Sequence, residues 1–591
     1  MAGRLRATCI AILLLGLGAG AATGHLAWPT GLDPARAAAA LRAEALARGI
    51  LSLDGAAVAL LADPGPPPLR GLPPADRARL AVELAPELPA AHFALAAASE
   101  GAERGHALLR GLRELVRHPE AKLWVALVAV WAAVGAGLAA GGTVLGCLLL
   151  RTVRHAVHDL GDALGVEVPA YARGALLGGS LLLPLVLGGG AGALLAIVLA
   201  AVVFYGDARD RTAAVLAAVL LAAATGPLLD AAFRLSQAPR SDPGVLAAVV
   251  PRRAASLRGE LEPLQQAAAA GRVDAAVALA LHARRMGRVE LARELLDDLV
   301  ASGATERALL QNAANARVAT GDPSAAFELY DRLLEHGPDA VVLFDLSQAL
   351  GREIRIHEQE RALAHAQVLD PETVGELTRL DGVSPVPLLV DRSPGSVVGA
   401  ALRSSPDAGW TTRAVRSRWL GSALSGSGGL AGVLAGAAVL ALFLAAAFPP
   451  SRTCGRCARS ICPRCHGPLR AGLCRPCASL FGRRGDTDRS LRRRALAELR
   501  RRRQWISRIQ LWVGLVVPGG AGLLAGSPGL AVAAPALVGA AAVLVGSGGE
   551  LAAPAAVGPA GGGLRAGAGV LALALAAGLT LAALRRLRGQ G

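Results

Sequence analysis

The apolar positions of this chain fall into two patterns, and the first is unbroken. Residues 123–150 hold no charge between Lys122 and Arg151. About 20 apolar helical residues cross a bilayer's hydrocarbon core, so this run predicts a tilted transmembrane helix. Residues 175–204 are also uncharged, but Gly188, Gly189 and Gly190 split them into halves that are each short for a crossing. That predicts a helical hairpin or re-entrant pair. The run 212–229, after the charged turn Asp207, Arg209, Asp210 and Arg211, and the run 430–448 read as single spans. Farther on, 509–526 is interrupted at Pro518, Gly519 and Gly520, whereas 530–545 and 567–584 are cleaner. At the start, Arg4 and Arg6 precede an apolar run from Ala7 to Ala22, the layout of a signal peptide or signal anchor. Cys9, in the middle of that run, favours an anchor, and with either a peptide or an anchor the next stretch of chain is exported.

The second pattern has helical spacing. Residues 33–118 predict a helical region with 84–99 and 105–118 as an antiparallel pair after a Pro-rich linker; His92, His106 and His118 are read there as surface or packed histidines. From Ala254 to about Glu372 a period of 34 appears: it relates Gly287 to Gly321, Ala280 to Ala314, and Ala292 to Ala326. Ala326, Tyr330 and Pro338, with Gly321-Asp322 at the turn, resemble the tetratricopeptide (TPR) repeat, over about a fifth of the chain. A third unit ending at Asp370-Pro371 is degenerate. The resemblance implies stacked helix pairs in which Ala314 and Ala326 permit close approach while Tyr330 and Leu334 bury, and a groove that takes a partner's peptide or helix. Arg284, Arg285 and Arg288, followed by Glu290, Glu294, Asp297 and Asp298, are read as a solvated ion-pair face.

Composition supports a membrane protein over three to five soluble domains. Hydrophobic residues make up 53% and charged residues 18%, with mean hydropathy +0.45, against about 25% charged in ordinary soluble domains. Gly (72), Pro (35) and a single lysine, Lys122, point to coding bias, so individual propensities weigh little. Between 451 and 508 stand seventeen arginines against Asp486, Asp488 and Glu498, most of the net charge of +16. Positive loops stay cytoplasmic. This expectation places the segment inside, residues 151–173 inside, and the repeats outside. The basic end, Arg585, Arg586 and Arg588, favours two full crossings after 508 with a half-inserted 509–526.

The sharpest motif is Cys454-x2-Cys457-x4-Cys462-x2-Cys465-x8-Cys474-x2-Cys477. Each C-x2-C turn directs two thiolates at one metal, and four suit tetrahedral zinc. Cys462 to Gly467 and Gly472 to Cys477 resemble the two knuckles of a zinc ribbon. In a treble-clef or FYVE-like alternative, Cys454 and Cys457 join Cys474 and Cys477, leaving Cys462, Cys465 and His466 for a second site. One or two structural zinc ions remain open. Cys462-Pro-Arg-Cys465-His466 also matches c-type haem attachment, but the flanking pairs, the scarcity of methionine (Met1 and Met286) and the expected cytoplasmic side oppose it. A thiol redox relay is a weaker reading than a structural metal. Cys147 is read as packing.

Arg492, Arg493, Arg494, Arg500, Arg501, Arg502 and Arg503 lie beside a membrane segment, where anionic lipid attracts them. Nucleic acid is disfavoured because Phe481 and Trp505 are the only stacking aromatics nearby.

The expected fold is mainly α: a polytopic membrane protein with TPR-like repeats and a small zinc-ribbon-like (or treble-clef-like) domain. Its parts are a signal segment (1–24), an exported helical region (25–121), transmembrane helices (122–233), exported repeats (234–390), a linker (391–429), a span (430–448), a zinc domain (449–485), an arginine-rich juxtamembrane helix (486–508) and a C-terminal membrane region (509–591). The combination resembles bacterial multi-pass inner-membrane proteins carrying TPR repeats and a zinc ribbon. It implies a scaffold or assembly protein holding protein partners. A transport or polysaccharide-export component is the alternative, disfavoured because the runs hold no ionisable residue except Asp230 and Arg209 near their ends. No H-E-x-x-H, G-x-S-x-G or P-loop occurs, so no enzyme is expected.

Overall fold

The computed structural model describes residues 28–29, 31–62, 71–163, 169–186, 190–237, 242–250, 258–403, 406–421, 426, 428–454, 460–462, 473–474, 477–478, 493–494, 496–501, 504–505, 508, 512, 516–547 and 551–589. The signal segment 1–24, Gly188, Gly189, Cys457, Cys465, His466, Arg492, Arg502 and Arg503 lie outside them. The described residues are mainly helical, with one two-stranded hairpin. Among the described residues, five helices are long and apolar enough to cross a membrane: Pro119–Asp162, Ala208–Gln237, Gly429–Ala447, Pro528–Gly546 and Ala560–Arg586. Each matches one of the uninterrupted apolar runs to within a residue or contains it, as a membrane protein requires. The run 175–204 folds as two packed helices, Ala170–Val186 and Gly190–Tyr205.

The chain forms two compact units. The first comprises 1–126, 237–405 and 552–562. Among the described residues, its N-terminal part has five helices, Pro34–Ala47, Asp54–Leu61, Pro74–Leu84, Pro89–Ala98 and Gly101–Leu115. The pair expected at 84–99 and 105–118 is displaced: the chain leaves helix at Ala85, and Pro89 starts the next one at a position where its missing N–H costs nothing. His92 and His118 are buried; His92 Nε2 lies 2.7 Å from Pro86 O and His118 Nε2 2.9 Å from Asp54 Oδ2.

Three helical hairpins come next, beginning at Val273, Arg307 and Ala340: Val273–Arg285 with Val289–Ala301, Arg307–Ala319 with Phe327–Glu335, and Ala340–Arg352 with Ile356–Leu369. Ala280, Ala292, Ala314, Ala326 and Tyr330 are all fully buried in their shared core, and Leu334 packs against it. Turns at Gly287 (φ +79°) and Gly321 (φ +87°) use a conformation that only glycine adopts at no cost. The third turn instead places Ile354 at φ +58°. The N-terminal helical region and the repeats share this unit: Leu46 packs with Leu343, Phe344, Ala366, Val374 and Leu388 in one apolar cluster.

The second unit comprises 127–236, 406–551 and 563–591. Small residues bring its helix backbones together, as expected where lipid is as apolar as side chains. A methyl added at Gly141 would meet Ala217 O at 2.8 Å, and one at Gly135 would meet Gly539 O at 2.7 Å. The helix Ala208–Thr225 ends at Gly226 before Pro227, leaving carbonyls that an apolar surrounding cannot satisfy. Arg416 supplies the donors: Nε to Thr225 O at 2.6 Å and a terminal nitrogen to Gly226 O at 2.7 Å, with Asp230 Oδ1 at 2.8 Å. Arg416 sits on Pro406–Leu420, so part of the expected linker 391–429 is a helix that braces the membrane unit.

Candidate functional site

The cysteine module starts from a short hairpin, Arg452–Thr453 pairing antiparallel with Ser460–Ile461. One cysteine comes directly after each strand, Cys454 and Cys462. The sulfurs of Cys454, Cys474 and Cys477 lie within 4.8 Å of one another, all buried, and the Cys474 N–H donates to Cys454 Sγ at 3.3 Å. Ile461 packs on the cluster. Three buried sulfurs with an N–H donor aimed at one of them form a geometry compatible with a metal ion. The grouping matches the treble-clef-like alternative, not the favoured ribbon pairing: Cys462 stands apart from this trio, with His158 and Asp159. The physical reason is the antiparallel pairing, in which the two strands end at opposite ends of the ladder and so separate two cysteines only eight residues apart. Cys457 and Cys465 lie outside the described residues.

In the first unit, the face expected to take a partner's peptide holds the chain's own residues 387–393. The first helices of the three hairpins supply the contacts. Asn312, on Arg307–Ala319, reads both backbone groups of Arg392: its Oδ1 accepts the N–H at 2.9 Å and its Nδ2 donates to the C=O at 2.7 Å. Val390 O accepts from Gln311 at 3.1 Å and from Asn315 at 3.0 Å, while Val390 N–H donates to Asp345 Oδ1 at 2.8 Å. Arg284 and Asp391 form a buried ion pair. Arg392 extends to Gln311 Oε1 at 2.6 Å and Asp339 Oδ2 at 2.7 Å. Arg284 and Arg285 are therefore buried, not part of a solvated face. Pairing with Asp391 keeps the Arg284 charge inside, whereas Asp297 does join a more open network with Arg293 and Arg317.

Electrostatics track burial. Asp345 is fully enclosed, and burial pushes its carboxyl up to about 7 against three hydrogen-bond donors, Val390 N–H, Gln311 and Asn315, that favour the carboxylate. Burial, then Arg285 and Arg288, pulls His282 down to about 4. Burial also raises the Tyr330 phenol, which donates to Asn315 Oδ1 at 2.7 Å.

Gln311, Asn312, Asn315, Asp345 and Asp391 were not among the sequence candidates. A signal existed: Gln311, Asn312 and Asn315 interrupt the apolar stretch between Arg307 and Arg317, and Gln311 stands one 34-residue period before Asp345. A cleft of about 750 Å3 also opens in this unit, lined by Arg42, His106, Arg110, Glu372 and Arg379 among others. Neither a family model nor a curated protein matches this chain.

Proposed function

We propose that the protein is a membrane-anchored scaffold whose TPR-type helical repeats bind extended peptide, with a structural zinc module farther along the chain. One observation carries this reading: Asn312 engages both the N–H and the C=O of Arg392, a contact that any extended segment can satisfy whatever its side chains. In this reading residues 387–393 occupy the groove in cis, and a partner segment competes for the same donors and acceptors. The zinc ion sits at Cys454, Cys474 and Cys477, where metal ligation would contribute on the order of 10 kcal/mol to folding a module with little apolar core.

The orientation we propose is a bacterial inner membrane with the zinc module cytoplasmic and the repeats exported. Two features support it. Ser451 bonds Asp159, which joins the stretch after the first span to the cysteine module. Residues 552–562, which lead into the last candidate span, share the compact unit of the repeats, which agrees with two full crossings after residue 508. Exposed Arg493, Arg494, Arg500 and Arg501, with Trp505 and Trp512, suit an anionic headgroup layer. Pairing of Asp210 with Arg151 and of Asp230 with Arg416 neutralises charges in the membrane unit and favours a scaffold over a transporter.

The test compares proteins copurified with the full chain, with a variant lacking 387–393, and with one lacking 254–372. The first deletion should increase partner recovery and the second abolish it. The same recovery from all three would sink the scaffold reading.

A further inference from the structure

We infer that His158, Asp159 and Cys462 form a second metal site, separate from the Cys454 cluster, that fastens the cysteine module to the end of the helix Pro119–Ala163. His158 and Asp159 are neighbours on one helix, Cys462 stands some three hundred residues farther along the chain, and the three ligand atoms lie within 4.8 Å of one another. Cys462 is 1% exposed and Asp159 8%. His158 Nδ1 lies 3.3 Å from Asp159 Oδ1, the spacing of two ligands each about 2.0–2.1 Å from a tetrahedral ion. One imidazole, one carboxylate and one thiolate make a borderline donor set that suits zinc-class divalent ions.

The carboxylate is also held as a metal ligand's is. Ser451 Oγ donates to Asp159 Oδ1 at 2.5 Å and Ser451 N–H to Oδ2 at 3.2 Å, and Ser451 is itself fully buried. Outer hydrogen bonds of this kind fix a ligand's orientation and tune the ion it holds. Ser451 directly precedes the first strand of the module, so the same contact that orients Asp159 brings Cys462 to it. Three protein donors leave one position of a tetrahedral ion to a further ligand. The consequence is mechanical: metal at this site couples the module's position to a membrane helix, and its release uncouples them.

The test uses the full chain in detergent, loaded with Zn2+ and assayed for metal per chain, with thiolate ligation read from the charge-transfer absorption of Co2+-substituted protein. His158→Ala and Asp159→Asn should each lower bound metal by about one ion per chain. Cys474→Ser should leave that His158-dependent ion in place, which distinguishes failure of this site from failure of the cysteine trio. His158→Cys should retain the ion and gain thiolate absorption, and Ser451→Ala should weaken its binding about 10–100-fold. Full metal content in His158→Ala and Asp159→Asn, together with an unaltered cobalt spectrum in His158→Cys, overturns the proposal and leaves His158 and Asp159 as a hydrogen-bonded pair.

Discussion

The carboxylate of Asp345 accepts the backbone N–H of Val390 at 2.8 Å, and its second oxygen accepts from Gln311 at 2.9 Å and Asn315 at 3.2 Å. A carboxylate is the one side chain of this size that offers acceptors in both directions. Asp345→Asn turns an amide N–H2 toward groups that are themselves donors. It should loosen residues 387–393 at a cost of about 1–3 kcal/mol. Amide exchange at Leu388 and Val390 in the detergent-solubilised chain reads this directly, and unchanged protection would mean that the carboxylate does not hold the segment.

Two buried groups of this unit oppose each other in pH. Asp345 titrates near 7 when folded against 3.8 for the ordinary group, so its stabilising contribution is complete below about pH 4 and is lost as pH rises through 7. His282 titrates near 4 against 6.5, so its contribution is present above 6.5 and is lost as pH falls through 4. Over the shared window each slope reaches at most about 1.4 kcal/mol per pH unit. As pH rises from 4.5 to 6.5, the thermal stability of His282→Gln should fall progressively relative to the parent chain, and that of Asp345→Asn should rise relative to it, on top of the pH-independent cost of its lost contacts. Parallel pH profiles for all three chains would show that neither group is shifted.

Ile354 holds a left-handed conformation, φ +58°, on a surface where 80% of it is exposed. No packing offsets the crowding of its branched side chain. Ile354→Gly should stabilise the third hairpin by about 1 kcal/mol after glycine's own entropy is counted, raising the thermal midpoint, while Ile354→Val should not.

Gly135 and Gly539 touch backbone to backbone in the membrane unit. Gly539→Leu forces the two helices apart and should destabilise the unit by about 1–3 kcal/mol or more. Heat-induced aggregation in detergent measures it; Gly546→Leu, where a Cβ meets nothing within 4 Å, is the control that should stay silent.

Metal removal should expose the module. A chelator applied to the full chain should make Cys454, Cys474 and Cys477, at most 3% exposed as folded, react with maleimide. Equal labelling with and without chelator would count against a metal-held fold.

Much of this architecture is written in one dimension. An uncharged run has a length, and length alone qualifies a helix to span a bilayer, so the stretches around Leu123, Thr212, Leu430, Leu530 and Gly567 were legible without any contact. The period joining Gly287 to Gly321 was legible for the same reason, since each repeat reuses one local turn. The six cysteines likewise announced a metal-type module by spacing. Their grouping could not be had from spacing, because a strand pairing of only two residues a side sends Cys454 toward Cys474 and Cys477 and sends Cys462 toward His158 and Asp159. Nor did spacing reveal that Arg284 meets Asp391, or that residues 387–393 cover the repeat face. Period and composition report what a residue does with its near neighbours along the chain. Which distant backbone satisfies a buried Asn312 or Asp345 is set when the helices pack and every enclosed polar group must find a partner.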